Sequence, residues 1–236
     1  APLDAKVGRR SDARGGVDAG ARRRYGAPMT GNFFDKVYRT TSQDAVEDLY
    51  DDWAATYDTD VTGNGYLTPG RCAAALATYL PDRDAPILDF ACGTGLSGIA
   101  LAEQGFTVID GVDLSGPMLA AARDTGVYRA LFKVEPGAAP DVRPGDYAAI
   151  AAIGALSPGA APPDYFETLL SCLAPGGLFV LSYNDHTLPE PAYTGRLEDA
   201  LSRGLVLERF REHGDHLVKL GSKSTVYVFE KRADAG

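Results

Sequence analysis

The sequence predicts an α/β fold: a doubly wound, mostly parallel sheet with an antiparallel C-terminal strand and a helical cap at its N-terminal side. Two observations support this class. Between residues 86 and 183, short apolar runs suited to buried strands alternate with helix-forming segments. Residues 205–212 and 224–232 then alternate apolar and polar side chains, a pattern typical of an antiparallel pair.

The most informative segment is residues 87–98, which read I-L-D-F-A-C-G-T-G-L-S-G. A short apolar strand here carries a carboxylate, Asp89, and breaks into a glycine loop ahead of a helix over 96–104. Gly93 and Gly95 allow a sharp turn and a close approach of the backbone to a ligand. A helix N-terminus behind such a loop presents free N–H groups to a polar or anionic ligand.

The spacing of the glycines leaves two ligands open. Gly93, Gly95 and Gly98 satisfy G-x-G-x-x-G, the dinucleotide fingerprint, and Asp113 after a second strand suits ribose hydroxyls for either ligand. Asp89 discriminates between them, because a carboxylate here repels a pyrophosphate and attracts a cation. S-adenosylmethionine has no phosphate and carries an ammonium and a sulfonium. The residues therefore favour S-adenosylmethionine, with an NAD-dependent oxidoreductase as the alternative.

The N-terminal helices follow from periodicity and capping signals. Apolar residues recur at three- and four-residue steps across 42–58, which predicts an amphipathic helix that Thr41 can cap. Its apolar face either packs on the core or forms a lid over a ligand. Pro69 near a first turn predicts a second helix over 68–80.

Further elements are bounded by similar signals. Ser115 can cap a helix over 116–124, which Gly126 ends. The remaining predictions are strands over 128–134, 146–153 (the central strand) and 177–183, and helices over 163–173 and 196–203.

Three motifs resemble those of class I S-adenosylmethionine-dependent methyltransferases: L-D-F-A-C-G-T-G at 88–95, G-V-D-L-S-G-P-M-L at 111–119 and L-A-P-G-G-L-F-V-L at 173–181. Y-D-D-W-A-A-T-Y-D at 50–58 resembles the lid helix of many members. G-V-Y-R-A-L at 126–131 and I-G-A-L-S at 153–157 add a resemblance to the Williams-Beuren syndrome region group within this family.

The resemblance covers residues 43–231 and implies a Rossmann-like fold that binds S-adenosylmethionine, with S-adenosylhomocysteine as product. It implies methyl transfer to an acceptor that it does not identify, and we expect a small molecule. A non-catalytic protein that binds S-adenosylmethionine or a partner is the alternative from another class, since a fold and a pocket do not prove turnover.

Ligands of open α/β sheets bind at the carboxyl ends of the strands. In the family, Asp89 would meet the methionine end, Asp113 the ribose hydroxyls, and Leu114 and Met118 the adenine. Glu135 would meet the adenine amino group, although the local pattern departs from the common one. The predicted cofactor-binding residues are Trp53, Tyr57, Asp89, Ala91, Gly93, Gly95, Asp113, Leu114, Met118, Glu135, Ile153 and Gly154.

Methyl transfer is a direct displacement, so the protein must align the acceptor and, for some acceptors, take up a proton. Tyr183, Asp185 and His186 lie at the mouth of the fifth strand, and Tyr183 and His186 are the candidate catalytic residues; otherwise they belong to a solvated loop after the strand. His213 and His216 fall in the late hairpin, and we expect them on the surface. No His/Cys/Asp cluster has the spacing of metal ligands.

Charge and composition limit the partners. Residues 1–28 contain seven Lys and Arg against three Asp and Glu, whereas the remaining residues contain 16 against 29. So acidic a domain lacks the basic face that nucleic-acid phosphates require. There is no apolar run of about 18 residues and no secretory h-region. We therefore expect neither a nucleic-acid nor a membrane partner, and the oligomeric state stays open.

Three widely spaced cysteines favour reduced thiols and a cytoplasmic location. Residues 1–28 combine glycine, alanine and arginine without periodicity, which predicts a disordered leader. We expect residues 29–80 to form the helical cap or lid and 81–236 the cofactor-binding core, together one domain.

Overall fold

The computed structural model describes residues 43–233, with side chains from Val46 onward. The predicted leader, residues 1–28, and the Thr41 cap lie outside this part of the chain. The helices are α1 Gln43–Trp53, α2 Tyr57–Gly63, α3 Thr68–Tyr79, α4 Leu96–Glu103, α5 Gly116–Asp124, α6 Tyr165–Ser171 and α7 Pro191–Ser202. The strands are β1 Ile87–Phe90, β2 Ile109–Asp113, β3 Ala130–Lys133, β4 Ala149–Ala152, β5 Leu178–Asn184, β6 Val206–Leu217 and β7 Ser222–Lys231, with a 3₁₀ turn at Val218–Leu220.

The strands form one seven-stranded sheet in the order β3-β2-β1-β4-β5-β7-β6. Strands β1 to β5 are parallel, and β7 pairs antiparallel with both β5 and β6. The order reverses between β1 and β4, which opens a crevice at the carboxyl ends of these strands. The predicted fold class is confirmed, including β4 at the centre.

Strands β1, β2 and β4 are buried along their whole length, because helices cover both faces of the sheet. Successive residues of β1 therefore enter different cores. Ile87 packs in the cluster that contains Leu76 of α3 and Leu101 of α4. Leu88 packs in the cluster that contains Phe166 of α6 and Leu197 of α7. No helix within residues 43–233 has the length and apolar character needed to cross a bilayer.

The predicted amphipathic helix over 42–58 is interrupted. Helix α1 ends at Trp53, and α2 starts at Tyr57 and continues to Gly63. The indole N–H of Trp53 donates to Asp60 Oδ2 at 2.8 Å, and the ring meets Tyr57 edge to face at 4.7 Å between centroids. These contacts across the break stabilise a bent pair of helices where the local periodicity indicates one continuous helix.

Gly98 in α4 admits the side chain of Tyr128 to the carboxyl end of β1. The Tyr128 hydroxyl donates to Asp89 Oδ2 at 2.7 Å and accepts from the backbone N–H of Gly98 at 3.1 Å. A Cβ at residue 98 would lie 2.3 Å from that hydroxyl. The third glycine of the G-x-G-x-x-G pattern is thus explained by tyrosine packing.

We predict that Gly98→Ala lowers the free energy of unfolding by about 1–3 kcal/mol, because the methyl group displaces Tyr128 from a packed position. Gly70→Ala is the matched control: Gly70 is exposed in α3, and a Cβ there meets no atom within 4 Å. Gly70→Ala should leave the free energy of unfolding unchanged or raise it, since alanine has a higher helix propensity than glycine. Urea unfolding measures both, and equal effects would contradict the assigned role of Gly98.

Candidate functional site

A cavity of about 740 Å³, a volume that includes the solvent at its mouth, lies at the carboxyl ends of the central strands. Its walls come from α1, the loops after β1 to β4, and α6. Nine of the twelve predicted cofactor-binding residues line it: Tyr57, Ala91, Gly93, Asp113, Leu114, Met118, Glu135, Ile153 and Gly154.

The other three predicted residues lie nearby but off these walls. Trp53 faces a second cavity beside the first. Gly95 is the N-cap of α4, with φ +98°. Asp89 is fully buried behind the glycine loop. The structure thus places them around the predicted site without bringing their side chains into the first cavity.

Asp113 at the end of β2 is held by backbone donors. Its Oδ2 accepts from Gly93 N at 2.8 Å and its Oδ1 from Ser115 N at 2.9 Å. Burial raises the pKa of this carboxyl, and these bonds oppose that rise. Each carboxylate oxygen retains a second lone pair, so Asp113 can still accept hydrogen bonds from two ligand hydroxyls.

Asp89 is a buried carboxylate with an incomplete set of partners. Its Oδ2 accepts from Ser97 Oγ at 2.6 Å and from the Tyr128 hydroxyl, whereas Oδ1 has no partner within the described chain. Burial raises the pKa of Asp89 to about 6, although both hydroxyl bonds favour the charged form and only Asp113 adds to the rise. A cation placed nearby would lower this pKa and so favour the charged carboxylate.

The loop between β1 and α4 is conformationally special. Ala91 has φ +54°, a left-handed conformation that is strained for a residue with a side chain. Gly93 has φ +53°, and a Cβ there would meet no atom within 4 Å. Open space above Gly93 and a strained neighbour make the loop a cradle into which a ligand can come close to the backbone.

A third, smaller cavity of about 280 Å³ continues from the first along this loop. It reaches Thr94 and Ser97, and Ser97 is the residue that bonds Asp89. The cavities therefore lead from Asp113 past the glycine loop towards the Asp89 network. Tyr57 lies on the walls of all three cavities.

The first helices are tied to the site by acidic side chains. Ser115 bonds Asp51, Thr94 bonds Asp58, and Lys133 Nζ donates to Glu47 Oε1 at 2.8 Å. The apolar periodicity of residues 42–58 predicts one face of these helices and does not predict this polar face. The acidic residues that recur between positions 47 and 60 are the sequence feature that indicates this polar face.

The two candidate catalytic residues stay predictions, and neither lines these three cavities. Tyr183 is fully buried, its ring packs against Tyr193 and Tyr227, and burial raises the pKa of its hydroxyl. His186 is exposed on the loop after β5, where its backbone N–H donates to Asn184 Oδ1.

The expectation of a surface position is confirmed for His213 and wrong for His216. His216 is only 8% exposed, because the segment 64–67 pairs with the end of β6 and covers it. No local motif or periodicity predicts the pairing of this segment with β6. Burial lowers the pKa of His216 to about 4, so the imidazole is neutral at physiological pH.

His216 faces the second cavity, of about 490 Å³, which shares Tyr50, Tyr57 and Gly154 with the first. Among the described residues, its lining contains no Asp, Glu, Lys or Arg, and comprises Tyr50, Trp53, Tyr57, Val61, Tyr66, Gly154, Ser157, Asn184, His216 and Leu217.

Among the described residues, no group of three or more His, Cys, Asp or Glu side chains could hold a metal ion. Cys72, Cys92 and Cys172 are buried free thiols, and burial raises the pKa of each.

Comparison with known proteins places the chain in a family. A family described as a methyltransferase domain matches residues 66–219. Human methyltransferase-like protein 27 is 37% identical over 66% of this chain and 64% of its own length. The 18S rRNA (guanine(1575)-N(7))-methyltransferase of Saccharomyces cerevisiae is 29% identical over 52% of this chain and 49% of its own length. The chain thus spans 64% of the length of the first of these curated relatives and 49% of the second.

A solved structure, the 1,6-didemethyltoxoflavin-N1-methyltransferase of Burkholderia thailandensis, shares the fold with a TM-score of 0.57. It is 18% identical, covers 82% of this chain and 92% of its own length, and contains its substrate and S-adenosylhomocysteine. The family match spans more than half of the chain, and it confirms the predicted family and cofactor. The chain belongs to the methyltransferase domain family, in its S-adenosylmethionine-dependent class.

Proposed function

We propose that this chain transfers a methyl group from S-adenosylmethionine to an uncharged small molecule. One observation carries the proposal: a cavity with acids but no Lys or Arg among its described lining residues opens beside a second cavity with an uncharged, aromatic lining. The first suits a cationic cofactor, and the second suits an apolar acceptor.

The first cavity provides groups for each part of the cofactor. Asp113 would accept the ribose hydroxyls, Leu114 and Met118 would contact the adenine, and Glu135 would meet the adenine amino group. Asp89 would act on the ammonium through Ser97, since its own side chain is buried. S-adenosylmethionine, when bound, supplies a methyl group already activated by a sulfonium.

Binding of NAD is disfavoured by Asp89. This carboxylate lies behind the glycine loop, where a dinucleotide would place its pyrophosphate, and no described lining residue of the first cavity offers a compensating cation. The third glycine, which favoured a dinucleotide in the sequence, serves the packing of Tyr128.

Helices α1 and α2 act in this proposal as a lid, and Tyr57 lies where the three cavities meet. Its position suits a residue that separates cofactor from acceptor and excludes water from the transfer. The acceptor's reacting atom would approach near Tyr57 and Gly154, the residues that both larger cavities share.

A small acceptor is favoured over RNA by two features. Outside residues 1–28 the chain is strongly acidic, and the second cavity has no charged group to meet a phosphate. The yeast relative acts on rRNA and the Burkholderia protein binds a small heterocycle, so the family match leaves the acceptor open.

We predict that Asp113→Ala weakens S-adenosylmethionine binding at least tenfold, because two hydrogen bonds to a charged acceptor, each worth about 1.5–3 kcal/mol, are lost. Titration calorimetry measures this, with NAD as the comparison ligand. Asp124→Ala removes an exposed acid from the end of α5 and should leave binding unchanged. An unchanged dissociation constant for Asp113→Ala, in a variant that melts like the parent, would place the ribose elsewhere.

Binding should also depend on pH through Asp89. The pKa near 6 means that the carboxylate is present above this pH and lost as the pH falls through it. A cationic ligand favours the carboxylate, so we expect affinity for S-adenosylmethionine to fall about tenfold between pH 7 and pH 5. Asp89→Asn should remove most of this dependence, and an identical pH profile in the variant would rule Asp89 out as its source.

Turnover is tested by release of S-adenosylhomocysteine from the purified chain. Uncharged aromatic heterocycles and phenols form one panel, and an 18S rRNA fragment containing a methylatable guanine forms the other. We expect release with members of the first panel and none with RNA. Release with RNA alone would overturn the small-molecule proposal while leaving cofactor binding intact.

A further inference from the structure

A chain of buried hydroxyl groups leads from the second cavity to Arg71. His216 Nδ1 lies 2.8 Å from Thr68 Oγ1, and Thr68 Oγ1 lies 2.8 Å from Ser224 Oγ. Thr68 and Ser224 are fully buried, and they belong to α3 and β7. Arg71 Nη1 lies 3.1 Å from Ser224 Oγ and 3.1 Å from the Ser224 carbonyl oxygen.

The direction of this chain follows from Arg71. A guanidinium only donates, so Ser224 Oγ accepts there. Within the described residues, the other partner of that hydroxyl is Thr68. The Ser224 hydrogen therefore goes to Thr68, because in the opposite direction it would be buried without an acceptor. The Thr68 hydrogen then goes to His216 Nδ1.

His216 is thereby fixed in one tautomer. A neutral imidazole whose Nδ1 accepts carries its proton on Nε2. Burial, together with the charge of Arg71 and the neighbouring His186, keeps the pKa of His216 low, whereas Asp185 acts in the opposite direction. The ring is thus a neutral N–H donor over the physiological pH range, and it lies on the wall of the second cavity.

The rest of that cavity complements such a donor. Four of its ten described lining residues are aromatic: Tyr50, Trp53, Tyr57 and Tyr66. Tyr66 also meets His216 edge to face at 5.2 Å between ring centroids, which holds the imidazole in place. No carboxylate or ammonium lies on the described lining, so a charged ligand would lose its hydration without compensation.

We infer that His216 recognises the methyl acceptor as a fixed N–H donor, and that the acceptor is an uncharged aromatic ring with an oxygen or nitrogen lone pair directed at Nε2. The inference rests on the proposed function, in which this cavity holds the acceptor. It assigns His216 to positioning and not to proton removal, since an Nε2 that carries a proton cannot accept another.

Nitrogen NMR of the imidazoles tests the tautomer without any substrate. We expect the signals of one histidine to show a protonated Nε2 and an unprotonated Nδ1. These signals should not change between pH 5 and pH 8, and they should be absent from the spectrum of His216→Phe. Thr68→Val should shift this ring towards the other tautomer. An Nδ1-protonated ring, or titration of His216 within this range, would overturn the inference.

Ligand-observed NMR with acetophenone and ethylbenzene tests recognition in the protein saturated with S-adenosylhomocysteine. The two probes have similar shapes, and only acetophenone has an oxygen acceptor. We expect acetophenone to bind at least about threefold more tightly than ethylbenzene. This preference should be lost in His216→Phe and retained in His216→Gln, which keeps an N–H. The control His213→Gln, on the exposed hairpin, should leave the preference unchanged.

Equal binding of the two probes to the parent protein, or a preference that survives His216→Phe, would overturn the inference. A failure of this inference can be distinguished from a failure of the proposed methyl transfer. Absence of turnover on every acceptor, with the acetophenone preference intact, would reject methyl transfer and not the donor role. Turnover with equal binding of both probes would reject the donor role alone.

Discussion

The burial of a carboxylate at the end of β1 constrains the whole region around the glycine loop. Asp89 is removed from water, and within residues 43–233 it has two hydroxyl donors and no cation. One donor belongs to Tyr128, whose ring fits only because Gly98 and Gly111 lack side chains. Local packing is therefore organised around an acid without a cationic partner among the described residues, and in the proposed function the cationic cofactor supplies the compensating charge.

The acids of the lid extend this imbalance. Asp51 bonds Ser115 beside Asp113, and its charge contributes to raising the pKa of Asp113. In the proposed function, closure of α1 would concentrate negative charge at the cavity, which costs free energy until a cation enters. A cationic cofactor would then bind the closed arrangement better than an open one, which would couple lid position to cofactor binding through the same electrostatic interaction.

The sequence predicts most of the sheet because its strands are apolar runs bounded by Gly and Pro, and it predicts α5 because Ser115 supplies a cap. The errors have tertiary causes. The break after Trp53 depends on the bond from its indole to Asp60, which no periodicity records. Helix α7 begins at Pro191, five residues before its predicted start at Arg196, although a proline in the first turn was a usable signal.

The candidate site likewise has one part that local sequence predicts and another that depends on tertiary packing. Most residues proposed for the cofactor follow β1, β2 and β4 directly, so a local motif is enough to identify them. The second cavity is assembled from segments without a motif, because Tyr66, Ser157, Asn184 and His216 meet only when the end of β6 pairs with the chain ahead of α3. In the proposed function, short-range sequence thus determines the cofactor site, whereas long-range packing builds the site for the acceptor. A substitution at Ser157, which lines the second cavity and neither of the other two, would then alter acceptor choice while the cofactor site stays intact.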